Sequence, residues 1–237
     1  MTLLIGSLQL GLIYGVMVLG IYISFRILNI PDLTAEGSFT FGLATAAIFT
    51  TAGHPFLGIL ASLVAGALAG CVTGLLQTKL NIHPVLTGIL TMSGLYSINT
   101  VVLGGEAVKL LMAVLVSVVC TVALVAFFRT RLGLCIRATG DNTDMVKASS
   151  INVDRMKCIA LALSNGLIAL CGGLIAQYQS FADINSGVGI LVVGLASVII
   201  GEAFFGKRSV TIGFISAIFG SVVYRYIIAM ATKADWF

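Results

Sequence analysis

The sequence predicts an all-α fold, a polytopic bundle of transmembrane helices, and three observations carry that expectation. Charged residues make up 9% of the 237-residue chain, against roughly a quarter in soluble domains. A soluble fold would lack the polar side chains to cover its surface. Apolar runs of about 20 residues recur, the length that crosses about 30 Å of hydrocarbon as a helix. The 27 glycines suit helices whose backbones approach closely inside a bilayer. The alternation over about ten residues that marks a membrane β-barrel is absent. About eight hydrophobic segments are expected, some broken or re-entrant. They form one transmembrane domain over residues 1–237.

The net charge is +4. Its basic residues gather in loops, which is the signature of cytoplasmic loops in a membrane protein rather than of a nucleic-acid surface. Lipid is therefore an expected surrounding, and nucleic acid is not an expected partner. No A-x-A cleavage site follows the first apolar segment, which reads as a retained span. Cys71, Cys120 and Cys171 lie inside apolar runs, and Cys135 and Cys158 flank a polar stretch. No CxxC or His/Cys cluster occurs, so the five cysteines read as reduced thiols packing as small apolar groups. His54 and His83 each precede a proline and are far apart, so no metal site is expected. Nothing has the spacing of a nucleophile and its base.

In chain order, Leu3–Leu28 is the first span, with Arg26 near one end. Asn29-Ile30-Pro31-Asp32 breaks it, because proline cannot continue a helix, and Asp32 or Thr34 can cap a new one. Ser38–Thr51 is short for a span. Pro55–Gln77 is rich in Gly and Ala. His83-Pro84 opens a span to about Leu103 that carries Asn99. A very short turn, Gly104-Gly105-Glu106, leads to the span Val108–Phe128. A polar loop comes next, then Cys158–Gln179, which holds Ser164, Asn165 and Gln177. Leu191–Phe205 is short, and Val210 to about Met230 is the last span. With the polar loop inside, Arg26, Lys79 and Lys207-Arg208 also fall on the cytoplasmic side and the N-terminus lies outside. Arg225 and Lys233 dissent. The segments Asp32–Ala46 and Asp183–Ser197 echo each other (DLTAEGSFTFGLATA and DINSGVGILVVGLAS) and run in opposite directions. An inverted repeat with broken helices has that form. Chance recurrence of Gly-Leu-Ala in membrane helices is the other reading.

Polar groups near or inside spans are expensive and need a reason. Asp32, Glu36, Ser38, Asn99, Gln177, Asp183, Asn185 and Glu202 are the candidates for lining a path across the membrane. Interhelical hydrogen bonding, at about 0.6 kcal/mol on average, is the competing role. It is preferred for Ser164 and Asn165.

Residues 129–157 hold nine of the chain's charged side chains, so this stretch lies outside the hydrocarbon. Gly140 is expected to end one segment. Asp141, Asn142 and Thr143 are good N-caps. Asp144–Ser149 reads as a two-turn helix with Met145 and Ala148 on one face, Ile151-Asn152 breaks it, and Asp154 caps the next helix. A short helix with an apolar stripe and a charged rim suits docking into a groove of a soluble partner.

The sequence GDNTDMVKASSINVDRMK followed by ALALSNGLIALCGGLIAQYQ resembles permease subunits of ATP-binding-cassette importers, in particular the branched-chain amino acid and ribose permease family. The family's loop pattern falls here on Gly140, Asn142, Ala148, Ser150-Ile151, Val153, Arg155 and Lys157, with Ser150 where many relatives have glycine. NIPDLTAEGSFTFGLATAA and IGEAFFGKRS extend the likeness, toward a subgroup that includes proposed aromatic amino acid importers. The turn at Gly104–Lys109 is shorter than in that family, and the chain ends where the family enters one more span.

The resemblance implies a multi-pass protein of the bacterial inner membrane and a small-solute importer, for an amino acid or a related molecule. It implies a second permease copy, two copies of an ATPase subunit, and an external solute-binding protein. The contact with the ATPase would fall on Gly140, Asp141, Asn142, Met145, Ala148, Ile151, Asp154 and Arg155 of a cytoplasmic coupling loop spanning 129–157. The chain has no GxxxxGK[ST] pattern, so ATP and Mg would be used by the partner and no cofactor bound here. The intramembrane acids keep a second possibility open, an ion-gradient-driven secondary transporter or channel.

Overall fold

The computed structural model describes residues 2–79, 82–99, 110–179, 182–206 and 209–233. Ten α-helices occur among them: α1 (Thr2–Ile21), α2 (Thr34–Thr51), α3 (Pro55–Lys79), α4 (Pro84–Asn99), α5 (Leu110–Phe128), α6 (Arg131–Asp141), α7 (Thr143–Ala148), α8 (Val153–Gln179), α9 (Ile190–Phe205) and α10 (Val210–Lys233). No strand occurs among the described residues.

Five helical stretches are long and apolar enough to cross a membrane: Gly6–Ile27, Pro55–Lys79, Val153–Gln179, Asn185–Phe205 and Val210–Thr232. Val116–Phe128 with Arg131–Asp141 makes a sixth if that pair, bent by 79°, counts as one span. The expected count of about eight is therefore not confirmed among the described residues. The difference lies partly in Ser38–Thr51, which belongs to α2. That helix is mostly buried and packs on α3, α4 and α8, so its Thr and Ser groups meet protein rather than lipid, which bilayer physics permits. The short turn Gly104–Lys109 and Lys207-Arg208 lie outside the described residues.

The close helix packing arises from glycine placement. Gly66, Gly70 and Gly74 recur every fourth residue on α3 and face α8. A Cβ at Gly74 would lie 2.8 Å from the Cys158 Cα, and Cβ atoms at Gly66 and Gly70 would collide with the carbonyls of Asn165 and Leu161. The opposite face of α3 exposes Phe56, Leu60, Val64, Leu68 and Val72, the apolar stripe a lipid-facing helix needs. The core between helices is filled by Ile13, Met17, Ile21, Phe39, Leu43, Ile168 and Phe214.

The helix pairs repeat with a reversal of direction. Ser38, Gly42 and Ala46 of α2 meet Asn165, Ala169 and Gly173 of α8 in step, so these helices run parallel. Gly194 of α9 sits on Ile21 and Glu202 pairs with Arg26, so α9 runs parallel to α1. α1 and α8 are antiparallel, with Ile13 against Cys171 and Gly20 against Ser164. Hence α2 and α9 run in opposite directions. Exchanging α1 with α8, α2 with α9 and α3 with α10 maps the main packed pairs onto one another: α2–α8 onto α9–α1, α3–α8 onto α10–α1, and α2–α3 onto α9–α10. The two echoing acids also match locally. The Thr34 N–H donates to Asp32 Oδ1 at 2.9 Å, and the Asn185 N–H donates to Asp183 Oδ1 at 3.1 Å. This is the arrangement of an inverted repeat.

Candidate functional site

The polar loop folds into a rigid two-helix unit. α1 first runs on as a π-helix over Tyr22–Ile27. The chain then breaks at Asn29, whose φ of 53° lies in the left-handed region, just before Pro31 removes a backbone donor. At the other side, α5 ends at Phe128 and the chain turns sharply into α6. The Thr130 side chain caps α6, accepting from the Gly133 N–H at 3.4 Å. Only glycine fits at 133, because a Cβ there would lie 2.5 Å from the Phe127 carbonyl oxygen. α6 buries Gly133, Ile136 and Thr139 and exposes Arg131, Leu132, Leu134 and Arg137.

Gly140 stands one residue before the end of α6 at Asp141, close to where the sequence placed the end of a segment, and is pressed against the end of the first span, where a Cβ would collide with the Ile27 carbonyl oxygen. Asn29 Nδ2 donates to the Gly140 carbonyl at 3.1 Å. The loop is thus fastened to the break after α1.

Asn142 caps α7. Its Oδ1 accepts from the N–H groups of Asp144 and Met145, each at 3.0 Å. α7 ends in a Schellman motif: the Ile151 N–H donates to the Val146 carbonyl at 3.3 Å and the Ser150 N–H to the Lys147 carbonyl at 3.0 Å. Ser150 takes a φ of 59°, the position glycine usually fills, at a cost of about 1–2 kcal/mol for an L-residue. The serine that stands in place of the family's glycine therefore falls on the one residue of the turn that needs glycine's freedom. Val146 is buried beneath the turn. The next cap is Asn152, accepting from the Arg155 N–H at 3.0 Å, rather than the expected Asp154. Asp154 instead places its charge in the first turn of α8, where the helix dipole favours it.

This scaffold leaves one face free. Asp144, Met145, Lys147, Ala148, Ser149 and Arg155 are exposed, and Met145 is 69% accessible. Lys147 Nζ lies 3.6 Å from Asp144 Oδ1, an exposed pair of little energetic weight. Asp141 and Asp154 are exposed and Ile151 is partly so. An exposed methionine and alanine within a charged rim, on backbone locked by two caps and a Schellman turn, can transmit a push without deforming.

The intramembrane candidates separate into three places. Asp32 is fully buried, with its Oδ2 accepting from Asn165 Nδ2 at 2.6 Å; Ser38 Oγ donates to Asn165 Oδ1 at 2.5 Å. Thr34 Oγ1 meets Thr73 Oγ1 at 3.0 Å beside them. Asn165 and Ser164 hold helices together, Ser164 Oγ donating to the Gly20 carbonyl at 2.9 Å. Glu36 Oε1 accepts from the Gly189 N–H at 3.1 Å, at the start of α9, and Asp183 and Asn185 lie on the exposed approach to that helix. Gln177 Nε2 donates to the Pro55 carbonyl at 2.8 Å. Asn99 ends α4, away from these groups in the chain. Glu202 is held by Arg26, whose Nε and a terminal nitrogen donate to its two oxygens at 2.5 and 2.7 Å. That pair ties the C-terminal end of α9 to the π-helical end of α1. Sequence reasoning missed Asn29 and Gly133 as loop anchors; the signal available was Asn before Ile-Pro and Gly at a sharp helix bend.

Comparisons with known proteins place the chain in a family. Residues 3–109 and 95–236 match the family described as "Branched-chain amino acid transport system / permease component". A tyrosine transport system permease protein of Clostridioides difficile (strain R20291) is 38% identical over 246 aligned residues, covering 98% of this chain and 83% of that one. The ribose import permease of Escherichia coli (strain K12) is 26% identical over 68% of this chain and 56% of its own. Among solved structures, PsaBC from Streptococcus pneumoniae in complex with Fab aligns with a TM-score of 0.46 at 14% identity, over 96% of this chain and 89% of that one.

Proposed function

The chain belongs to the permease components of branched-chain amino acid transport systems, and on that premise we propose that it is driven through the α6–α7 loop by a separate ATPase to import an amino acid. It is a transport subunit, a multi-pass protein of the bacterial inner membrane, and its apolar helices form the membrane-spanning part of an ATP-binding-cassette importer. Membership of this family brings an ATPase and a solute-binding protein as partners.

The observation that carries the coupling reading is the clamp at Gly140. α7 presents Met145 and Ala148 outward, while α6 is held against the Ile27 carbonyl and by Asn29. A displacement imposed on α7 reaches the π-helical end of α1 through packed backbone, with no flexible link between. π-Helical turns are rare and occur frequently at functional sites. Beyond the break, α2 starts at the Asp32–Asn165–Ser38 cluster, so the same displacement bears on the inner helices. In an assembly of two permease copies and two ATPase copies, the ATPases bind ATP and close, and the paired loops move the spans between outward- and inward-open forms. The substrate reading rests on the 38% identical relative named for tyrosine, which makes L-tyrosine the first solute to test.

Ala148→Glu and Arg155→Glu test the coupling. In liposomes holding the complete transporter, uptake is expected to fall on the order of tenfold or more, while the complex assembles and goes on hydrolysing ATP. Wild-type uptake in both variants would remove the coupling role.

A further inference from the structure

α10 carries an arginine inside the bilayer. Arg225 lies about 22 Å along the helix from Val210, well within the span Val210–Thr232. Long basic side chains at such depths normally extend toward the nearer water layer. The Cβ bonds of a helix tilt toward its N-terminus, and here the Arg225 side chain takes that direction, inward. Its Cζ sits 3.5 Å from the centroid of the Tyr14 ring, near the middle of the first span. Tyr14 in turn stacks on Phe39 of α2, with centroids 6.3 Å apart and planes 17° from parallel.

The arrangement is locked by the backbone. Gly11 lets α1 approach α10 so closely that a Cβ would lie 2.6 Å from the Val222 Cα. Ser221 Oγ donates to the Gly11 carbonyl at 2.5 Å. Arg225, one turn further along α10, is held over Tyr14 by that register.

What the guanidinium lacks is an anion. Among the described residues the ion pairs are Arg26–Glu202 and Lys147–Asp144, and neither involves Arg225. Its Nε is buried with no hydrogen-bond partner, although the residue as a whole remains partly accessible. The Tyr14 ring attracts the cation and its hydroxyl accepts a hydrogen bond from the guanidinium, but neither supplies a negative charge, and Nε stays without a partner. A carboxylate matches that fork with two parallel hydrogen bonds. An ionisable group in a span marks a functional site when it faces an interior or watery space.

We propose that Arg225, backed by Tyr14, is an intramembrane recognition site for the carboxylate of the transported amino acid. This deepens the amino acid permease reading and rests on it. The Tyr14–Phe39 stack continues the site toward α2, so the carboxylate is received at a junction of α1, α2 and α10.

The test is equilibrium binding to the purified permease–ATPase complex in detergent. Labelled L-tyrosine is the probe, and tyramine, which keeps the ring and the ammonium but has no carboxylate, is the competitor. Wild type is expected to prefer L-tyrosine on the order of tenfold. Arg225→Gln should bring the preference to about one, because the paired hydrogen bonds and the charge are both gone. Arg225→Lys should retain part of it, keeping charge without the fork. A folding defect would lower the number of sites for both compounds and leave their ratio unchanged. An undiminished preference in Arg225→Gln, or equal affinities in wild type, would overturn the site while leaving the permease reading intact. Failure of wild type to bind or import L-tyrosine, L-phenylalanine and L-leucine would overturn the amino acid reading, and this site with it.

Discussion

Gly140→Val is expected to abolish solute uptake while the protein still inserts in the membrane and recruits its ATPase. A Cβ at this position collides with the Ile27 carbonyl oxygen and stands 3.2 Å from the Leu28 Cα. Valine adds two methyl groups beyond that Cβ, into a contact made of backbone that cannot step aside. Overpacking of this kind typically costs about 1–3 kcal/mol, and here it is relieved by swinging α6 off the end of α1. That movement also pulls the Gly140 carbonyl away from Asn29. The exposed face of α7 survives, since the α7 cap at Asn142, the turn at Ser150 and the α8 cap at Asn152 are internal to the loop. ATP hydrolysis should therefore continue while transport stops. Uptake and hydrolysis measured on the same preparation check this, and uptake in Gly140→Val within a factor of about two of wild type would show that the clamp transmits nothing.

The second large effect is expected at Asn165→Leu. Asn165 joins three elements: its Nδ2 donates to Asp32 Oδ2 at 2.6 Å and to the Leu161 carbonyl at 3.1 Å, and its Oδ1 accepts from Ser38. Asp32 has no exposed surface, so water cannot replace the lost donor. A buried polar group left without a partner costs about 1–3 kcal/mol, and more if charged. Two such groups, Asp32 Oδ2 and the Ser38 hydroxyl, are left behind, while Asp32 Oδ1 keeps the Thr34 N–H. For a chain of this size that corresponds to a melting temperature at least about 5 °C lower. The double variant Asp32→Leu with Asn165→Leu should lose less than the two single losses together, because replacing both partners leaves fewer groups unpaired. Thermal melting of the detergent-solubilised protein reads both. An unchanged melting temperature in Asn165→Leu would show that the cluster does not hold α2 to α8.

Much of the loop was legible in the sequence because its determinants are local. Asn142 caps a helix whose bonded N–H groups lie within three residues of it, and the Schellman turn at Ser150-Ile151 is written in consecutive residues. The break at Asn29–Asp32 was visible for the same reason: proline acts on its own helix. The echo between Asp32–Ala46 and Asp183–Ser197 also survived, because both acids make the same turn to the residue two ahead. What the sequence hid is long-range. Asp32 finds Asn165 across 133 residues and Arg26 finds Glu202 across 176, and no periodicity encodes either pairing. The exact span count was not legible because hydropathy cannot tell lipid from protein as the surroundings of α2. The contact of Gly140 with Ile27 was hidden, since a glycine at a helix end and a glycine at a helix–helix contact look alike in one dimension.

The ion pair between Arg26 and Glu202 shows how the parts connect. It fastens α9 to the π-helical continuation of α1 that α6 also grips, so the two halves of the inverted repeat meet beside the α6–α7 loop. A displacement delivered there reaches both halves.

The most direct measurement of the central claim is site-specific photo-crosslinking from Met145, the exposed tip of α7. A photoreactive residue replaces Met145 in cells that express the chain together with its ATPase, and the adducts are identified by mass. A covalent adduct with the ATPase, responsive to ATP and lost in a control carrying the photoreactive residue at lipid-facing Leu68, is the expected result. Adducts only with lipid or with the chain itself, in cells that still import solute, would contradict coupling through this loop.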